Sequence, residues 1–148
     1  MNINIFVFIR IFIGLIYLVS GFEKIISPYQ NFQYVIQSYT IVPSSWEIII
    51  AKTFPWIELF TGLFLFFGLW TRISLFSALI ISGTLMTIVG QAMIRQLPIT
   101  ECGCFGELIS LPLWAVFIID VSTFLSILLL LKKYQKTILL SLDRHFNE

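Results

Sequence analysis

Apolar residues run along this chain in four long blocks, over residues 3–26, 48–70, 73–94 and 112–131. Each matches the roughly 20 predominantly apolar residues that a helix needs to cross a bilayer. The first block stops at Ser27 and Pro28, and the last stops at Lys132 and Lys133. Between the first two blocks Tyr29, Phe32, Ile36 and Tyr39 recur at helical spacing, with Gln30, Gln33 and Gln37 between them. That pattern predicts a short amphipathic helix in the interface, its tyrosines at headgroup level. Trp46 and Trp70 flank the second block, where interfacial tryptophans are favoured. The expected fold is all-α: an integral membrane four-helix bundle forming a single transmembrane domain over 1–148, with a short interfacial amphipathic helix between the first and second transmembrane helices and a tail over 132–148.

Polar residues inside the blocks fall on faces. In the first, Arg10, Gly14, Tyr17, Gly21 and Lys24 are spaced by four, three, four and three, while Ile5, Phe12, Leu15 and Val19 fill the opposite side. Glu58, Gly62 and Leu65 share a face of the second block; Ser77, Thr84, Gln91 and Arg95 form a stripe on the third; Asp120 and Thr123 pair on the fourth. A charge facing hydrocarbon costs at least ~2.5–3.5 kcal/mol, so Arg10, Glu58 and Asp120 are expected to point inward and to be paired or wet. At a rise of ~1.5 Å per residue, Arg10 and Glu58 reach comparable depths. The expected pair is Arg10–Glu58, with Asp120 as the alternative partner for Arg10 and Lys24 as a competitor for Glu58 if the second span starts late, at Pro55. A buried pair of this kind can simply fix helix register, or it can build a polar pocket for a quinone headgroup or a proton route. Phe54, Trp56, Phe60 and Trp114 are candidates for lining an isoprenoid groove, although lipid contact is the commoner fate of such aromatics. Gly14/Gly21 and Gly83/Gly90 repeat at seven residues, a spacing that lets helices approach closely in lipid.

Composition supports the membrane reading. Only 11% of residues are charged against 58% hydrophobic, where a soluble domain carries about 25% charged. A net charge of +1 gives nucleic acid no basic surface to bind, so it is not an expected partner. The expected partners are the lipid bilayer and an extracytoplasmic protein. Met1 to Asn4 supply no basic segment, Arg10 interrupts the apolar run and no small-residue cleavage site follows, so the first block is expected to be retained as a span. Orientation follows from Lys and Arg. Arg72, Lys132, Lys133, Lys136 and Arg144 fall on one side; Lys24, Lys52 and Arg95 fall on the other. The bias predicts a multi-pass protein of a bacterial inner membrane, both termini cytoplasmic and residues 95–111 extracytoplasmic.

Those residues hold both cysteines of the chain, in Glu101-Cys102-Gly103-Cys104-Phe105-Gly106-Glu107. Outside the cytoplasm a dithiol can be oxidised and stay so. A Cys102–Cys104 disulfide would close a very small ring, and strain makes such a bond labile. Gly103 and Gly106 remove the Cβ atoms that resist a tight bend, and Phe105 can anchor the loop at the interface. Cys102 and Cys104 are therefore the candidate redox pair. Structural zinc needs four ligands, and two thiolates with Glu101 and Glu107 fall short, so no metal is expected. His145 lies in the tail, across the membrane from the cysteines. There is no flavin, haem or nucleotide motif and no second cysteine pair, so electrons must come from or go to a thioredoxin-like protein, a lipid carrier such as a membrane quinone, or both.

Several stretches resemble a known family. Arg10 and the run Gly14-Leu15-Ile16-Tyr17-Leu18-Val19-Ser20-Gly21-Phe22-Glu23-Lys24, then Pro28, resemble the opening of DoxX-like membrane proteins. So do Pro55-Trp56-Ile57-Glu58-Leu59-Phe60-Thr61-Gly62-Leu63 and Gly68-Leu69-Trp70-Thr71-Arg72. Cys102-Gly103-Cys104-Phe105-Gly106 resembles the signature of the methylamine utilisation protein MauE branch. The resemblance extends to about Phe124. It implies a four-helix membrane protein that takes part in maturing a disulfide-rich exported subunit alongside a thioredoxin-like partner, and DoxX relatives add quinone-linked sulfur oxidation or redox homeostasis. The expected function is thiol–disulfide exchange through the Cys-Gly-Cys loop. The alternatives are an assembly or scaffold factor without catalysis, and a small transporter or metal handler.

Overall fold

The computed structural model describes residues 5–96 and 112–134. The Cys-Gly-Cys stretch with Phe105 and Gly106, and the tail with His145, lie outside the described residues. The described chain forms five helices: α1 (Ile5–Ile26), α2 (Tyr29–Tyr39), α3 (Ser44–Phe67), α4 (Thr71–Ile94) and α5 (Leu113–Lys132). Four of them, α1, α3, α4 and α5, are long and apolar enough to cross a membrane. The protein is an all-α bundle of the membrane type.

Two observations explain how α1 packs. Its exposed residues Ile5, Phe8, Phe12, Leu15, Val19, Phe22 and Ile26 follow one helical stripe, an all-apolar face suited to lipid. Its buried stripe carries Arg10, Gly14, Tyr17, Ser20, Gly21 and Lys24. The glycines there bring α1 against α3 at backbone contact. A Cβ added at Gly14 would lie 2.8 Å from the Phe66 amide nitrogen, and one at Gly21 would lie 2.6 Å from that of Leu59. One added at Gly62 would lie 2.5 Å from the Leu18 nitrogen. Such close approach is how helices gain packing energy where lipid removes the hydrophobic drive. These contacts run Gly14 to Phe66 and Gly21 to Leu59, so the two helices are antiparallel and their register is fixed.

The second antiparallel pair is α4 with α5. Gly83 faces the Phe124 ring and Gly90 faces the Phe117 ring, so side chains rather than backbone fill the space. The seven-residue glycine repeat thus has two meanings: backbone contact on α1 and room for aromatic rings on α4. Ile13, Tyr17, Leu65, Leu75, Ala78, Ile127 and Leu130 form the buried core that joins the pairs. Tyr17 also donates a hydrogen bond to the Ala78 carbonyl at 3.2 Å, tying α1 to α4. The turn between α3 and α4 is short: Gly68 takes a left-handed φ of 68°, and its amide and that of Leu69 both bond the Phe64 carbonyl.

Helix α2 starts at Pro28 and ends on Thr40 in the left-handed region. It packs at the end of the bundle where α1 and α4 finish and α3 and α5 begin. Gln37 donates to Glu47 at 2.7 Å, and Lys52 lies 4.6 Å from the Tyr29 ring centre, so two polar contacts hold α2 to the first half of α3. That half begins earlier than the apolar pattern alone predicts, at Ser44 rather than residue 48, because Pro43 and Ser44 open the helix ahead of the apolar run.

Candidate functional site

Two features meet at the α2 end: a buried charge cluster and an apolar groove. In the cluster, Lys24 Nζ lies 2.6 Å from Glu58 Oε2, and both side chains are about 1% exposed. Lys24 also donates to Ser20 Oγ at 3.0 Å, and Ser20 donates to the same Glu58 oxygen at 3.4 Å. The remaining side of the ammonium faces aromatic rings, 5.1 Å from the centre of Phe32 and 5.7 Å from that of Phe54. Those two rings stack at 6.0 Å and join α2 to α3. A cation placed between a carboxylate and ring faces is well accommodated without water.

This geometry corrects the expected pairing. Glu58 bonds Lys24, and neither Glu58 nor Asp120 bonds Arg10. The reason is the glycine register. Gly21 packs at Leu59 and Gly14 at Phe66, so Ser20 stands level with Glu58, and Arg10 lies ten residues, or ~15 Å, further along α1. Equal depth counted from helix ends misleads because the ends are not level: Phe66, near the end of α3, lies beside Gly14, well inside α1, so α3 is slid along α1 toward its Lys24 end. Arg10 is nonetheless fully buried, as its inward-facing position requires.

Asp120 enters the cluster from α5. It is 8% exposed, and its Oδ2 has no hydrogen-bond partner among the described residues. Beside it lies a small cavity of about 20 Å³, lined by Ile16, Tyr17, Ser20, Glu58, Leu85, Ile119, Asp120 and Thr123. Lys24, Glu58 and Asp120, read from sequence as parts of one polar pocket, do come together; Arg10 stands apart from them.

The groove is larger, about 730 Å³, and runs between α2, α3 and α4. Phe32, Ile36 and Tyr39 of α2 form one wall, Phe54 of α3 the floor, and Ile80, Thr84, Ile88 and Gln91 of α4 the other wall. Lys24 is the charged residue that lines it among the described residues. An apolar groove of this size with a few polar groups is typical of small-molecule sites, which span about 300–1,000 Å³. Burial pushes the Tyr39 phenol up to about 12, so it stays a neutral hydroxyl at physiological pH.

Of the four aromatics expected to line such a groove, Phe54 does. Trp56, Phe60 and Trp114 are 49%, 49% and 60% exposed and belong to the outer surface instead. On α4 the polar stripe splits as well: Thr84 and Gln91 line the groove, whereas the buried hydroxyls are Thr71, Ser74 and Ser82. Ser20 is a site residue that spacing does not single out, and spacing places Tyr39 on α2's interfacial face without placing it in the groove. Ser20 was legible as a polar residue one turn before Lys24, and Tyr39 as the last residue of α2's apolar face.

The fold and these features define a polytopic helical membrane protein with an amphiphile-sized groove against a buried ion pair. The family model described as methylamine utilisation protein MauE matches residues 2–133, and the chain belongs to that family. Membership supports a membrane protein of methylamine utilisation. No curated protein and no solved structure matches the chain significantly.

Proposed function

We propose that this MauE-family protein is a membrane thiol–disulfide redox protein. Cys102 and Cys104 exchange a disulfide with a thioredoxin-like extracytoplasmic partner or with substrate thiols, and the groove takes a membrane quinone. The chemistry balances: a dithiol that closes to a disulfide gives up two electrons and two protons, and a quinone reduced to its quinol takes up the same. One cysteine forms the mixed disulfide and the other resolves it. The protein sits in a bacterial inner membrane with both termini cytoplasmic. The structure adds a reason to that orientation: Lys24 spends its charge on Glu58, so the outer side presents only Lys52 and Arg95 against the five basic residues inside.

The observation that carries the reading is the groove. It lies at the bundle end where α4 finishes at Ile94 and Pro112 opens α5, and those two residues bracket the Cys-Gly-Cys stretch in the sequence. Phe32, Phe54 and Lys24 offer a flat ring stacking surface and a cationic donor.

Trapping tests the thiol step. Cys102→Ser or Cys104→Ser, introduced singly in cells, is expected to accumulate a mixed disulfide visible on non-reducing gels and lost on reduction. If neither variant traps a partner and the double variant still supports maturation of exported proteins, the redox reading fails. The groove has its own test. Thr84→Trp projects a large ring into the space beside Phe54 and is expected to lower quinone binding to the purified protein at least tenfold while leaving its melting temperature within a few degrees; unchanged binding would remove the quinone from the scheme.

A further inference from the structure

Asp120 is a carboxyl group more than nine-tenths buried in a membrane bundle; it lines a small cavity together with Ser20, Glu58 and Thr123, and its Oδ2 has no hydrogen-bond partner among the described residues. Isolated ionised carboxylates are strongly disfavoured in such surroundings. The charged and titratable groups around it come from each packed element. Helix α1 supplies Lys24 and the Tyr17 hydroxyl, α3 supplies Glu58, and the titratable residue of α2 on this side is Tyr39, which lines the groove. Helix α4 supplies Leu85 and carries no charged residue between Arg72 and Arg95. The cluster therefore contains two carboxyls and one cation. Lys24 is committed to Glu58 at 2.6 Å, and its other contacts are Ser20 and two rings. Among the described residues of the cluster no second cation faces Asp120.

The cavity supplies the second half of the argument. At about 20 Å³ it holds one water, for which about 10–15 Å³ suffices. A water also needs at least two polar partners, and Asp120, Ser20, Glu58 and Thr123 all line the space. We propose that Asp120, Glu58 and Lys24 form a buried proton-binding site that holds one exchangeable proton, on Asp120, and one water bridging it to the Lys24–Glu58 ion pair. The cluster is then neutral as a whole, and the orphaned oxygen has its partner.

The site is also connected. Lys24 lines the groove and bonds Glu58 and Ser20, which line the cavity; Leu85 lines both. A hydrogen-bonded path runs from the groove through Lys24 and Glu58 to the water and Asp120. That is the arrangement of a proton store serving whatever reacts in the groove, and it stands without the thiol chemistry, because the proton is a property of the resting protein.

Infrared spectroscopy of the full-length protein in lipid nanodiscs, with aspartate carboxyls labelled with carbon-13, tests this. The chain has two aspartates, Asp120 and Asp143. At neutral pH the wild type is expected to show a protonated-carboxyl stretch that shifts with the aspartate label and shifts again in heavy water. Asp143→Asn keeps the band and Asp120→Asn removes it. The labelled wild type answers the question even if Asp120→Asn misfolds. Absence of a label-sensitive band overturns the proposal. A band that does not respond to heavy water, or one abolished when sodium replaces choline, overturns it too, the last because it would mark a metal-ion site.

Discussion

Gly62→Ala is expected to destabilise the bundle by about 3 kcal/mol or more, at the upper end of what overpacking costs, whereas Gly83→Ala stays within about 1 kcal/mol of the parent because ordinary contact is tolerated. The two substitutions are chemically identical and both lie in membrane helices. They differ in what the new methyl meets. At Gly62 it would sit 2.5 Å from the Leu18 nitrogen, 2.8 Å from the Gly14 carbonyl oxygen and 2.9 Å from the Tyr17 carbonyl carbon, all backbone of a facing helix. Relief requires α1 and α3 to separate, which loosens every contact along the pair and shifts Ser20 and Lys24 away from Glu58. At Gly83 the nearest atom is Cε2 of the Phe124 side chain at 3.4 Å, which a small ring rotation accommodates. Gly21→Ala, with its methyl 2.6 Å from the Leu59 nitrogen, belongs with Gly62. Unfolding in mixed detergent micelles, followed by circular dichroism, measures all three. Equal loss at Gly62 and Gly83 would mean that the α1–α3 approach is not what holds the bundle.

That register also decides how much the sequence could tell. The four spans and the interfacial helix are legible because apolar blocks of bilayer length and a three-to-four spacing of aromatics depend only on local pattern. The inward stripe of α1 is legible for the same reason: Arg10, Gly14, Tyr17, Gly21 and Lys24 are all intermediate to buried in the fold. The partner of Glu58 is not, because pairing between helices depends on axial offset, and a shift of about four turns exchanges Arg10 for Lys24. The information was present in Gly14, Gly21 and Gly62, but a glycine marks close approach without saying which residue it approaches. The groove is harder still. Its walls come from α2, α3 and α4, and Thr84 and Gln91 were read with Ser77 and Arg95 as one stripe, whereas only the turn-to-turn neighbours facing α2 reach the groove. The Cys102–Cys104 stretch lies outside the described residues, so the redox chemistry expected of it rests on the two thiols beside glycines in the sequence alone.

The second large effect falls on the buried ion pair. Lys24→Met is expected to lower stability by about 3–5 kcal/mol, because removing one partner strands the other charge in a low-dielectric interior. Glu58→Leu should cost a similar amount for the converse reason, leaving an ammonium with only Ser20 and two ring faces. The double variant Lys24→Met/Glu58→Leu should recover most of the loss, to within about 2 kcal/mol of the parent, since a well-packed apolar pair can replace buried ions at little net cost. The non-additivity is the measurement: a coupling energy of about 3 kcal/mol in a double-mutant cycle, large for neighbouring residues. Arg10→Met in the same background should add its own cost independently, because Arg10 stands ~15 Å from Glu58 along α1. Additive losses at Lys24 and Glu58, or coupling between Arg10 and Glu58 instead, would contradict the observed register. Recovery of stability need not bring recovery of activity. The double variant deletes the cation that lines the groove and the carboxylate that lines the cavity with Asp120, so a protein that folds but loses the protonated-carboxyl band would separate the structural role of the pair from the proton-binding role proposed for it.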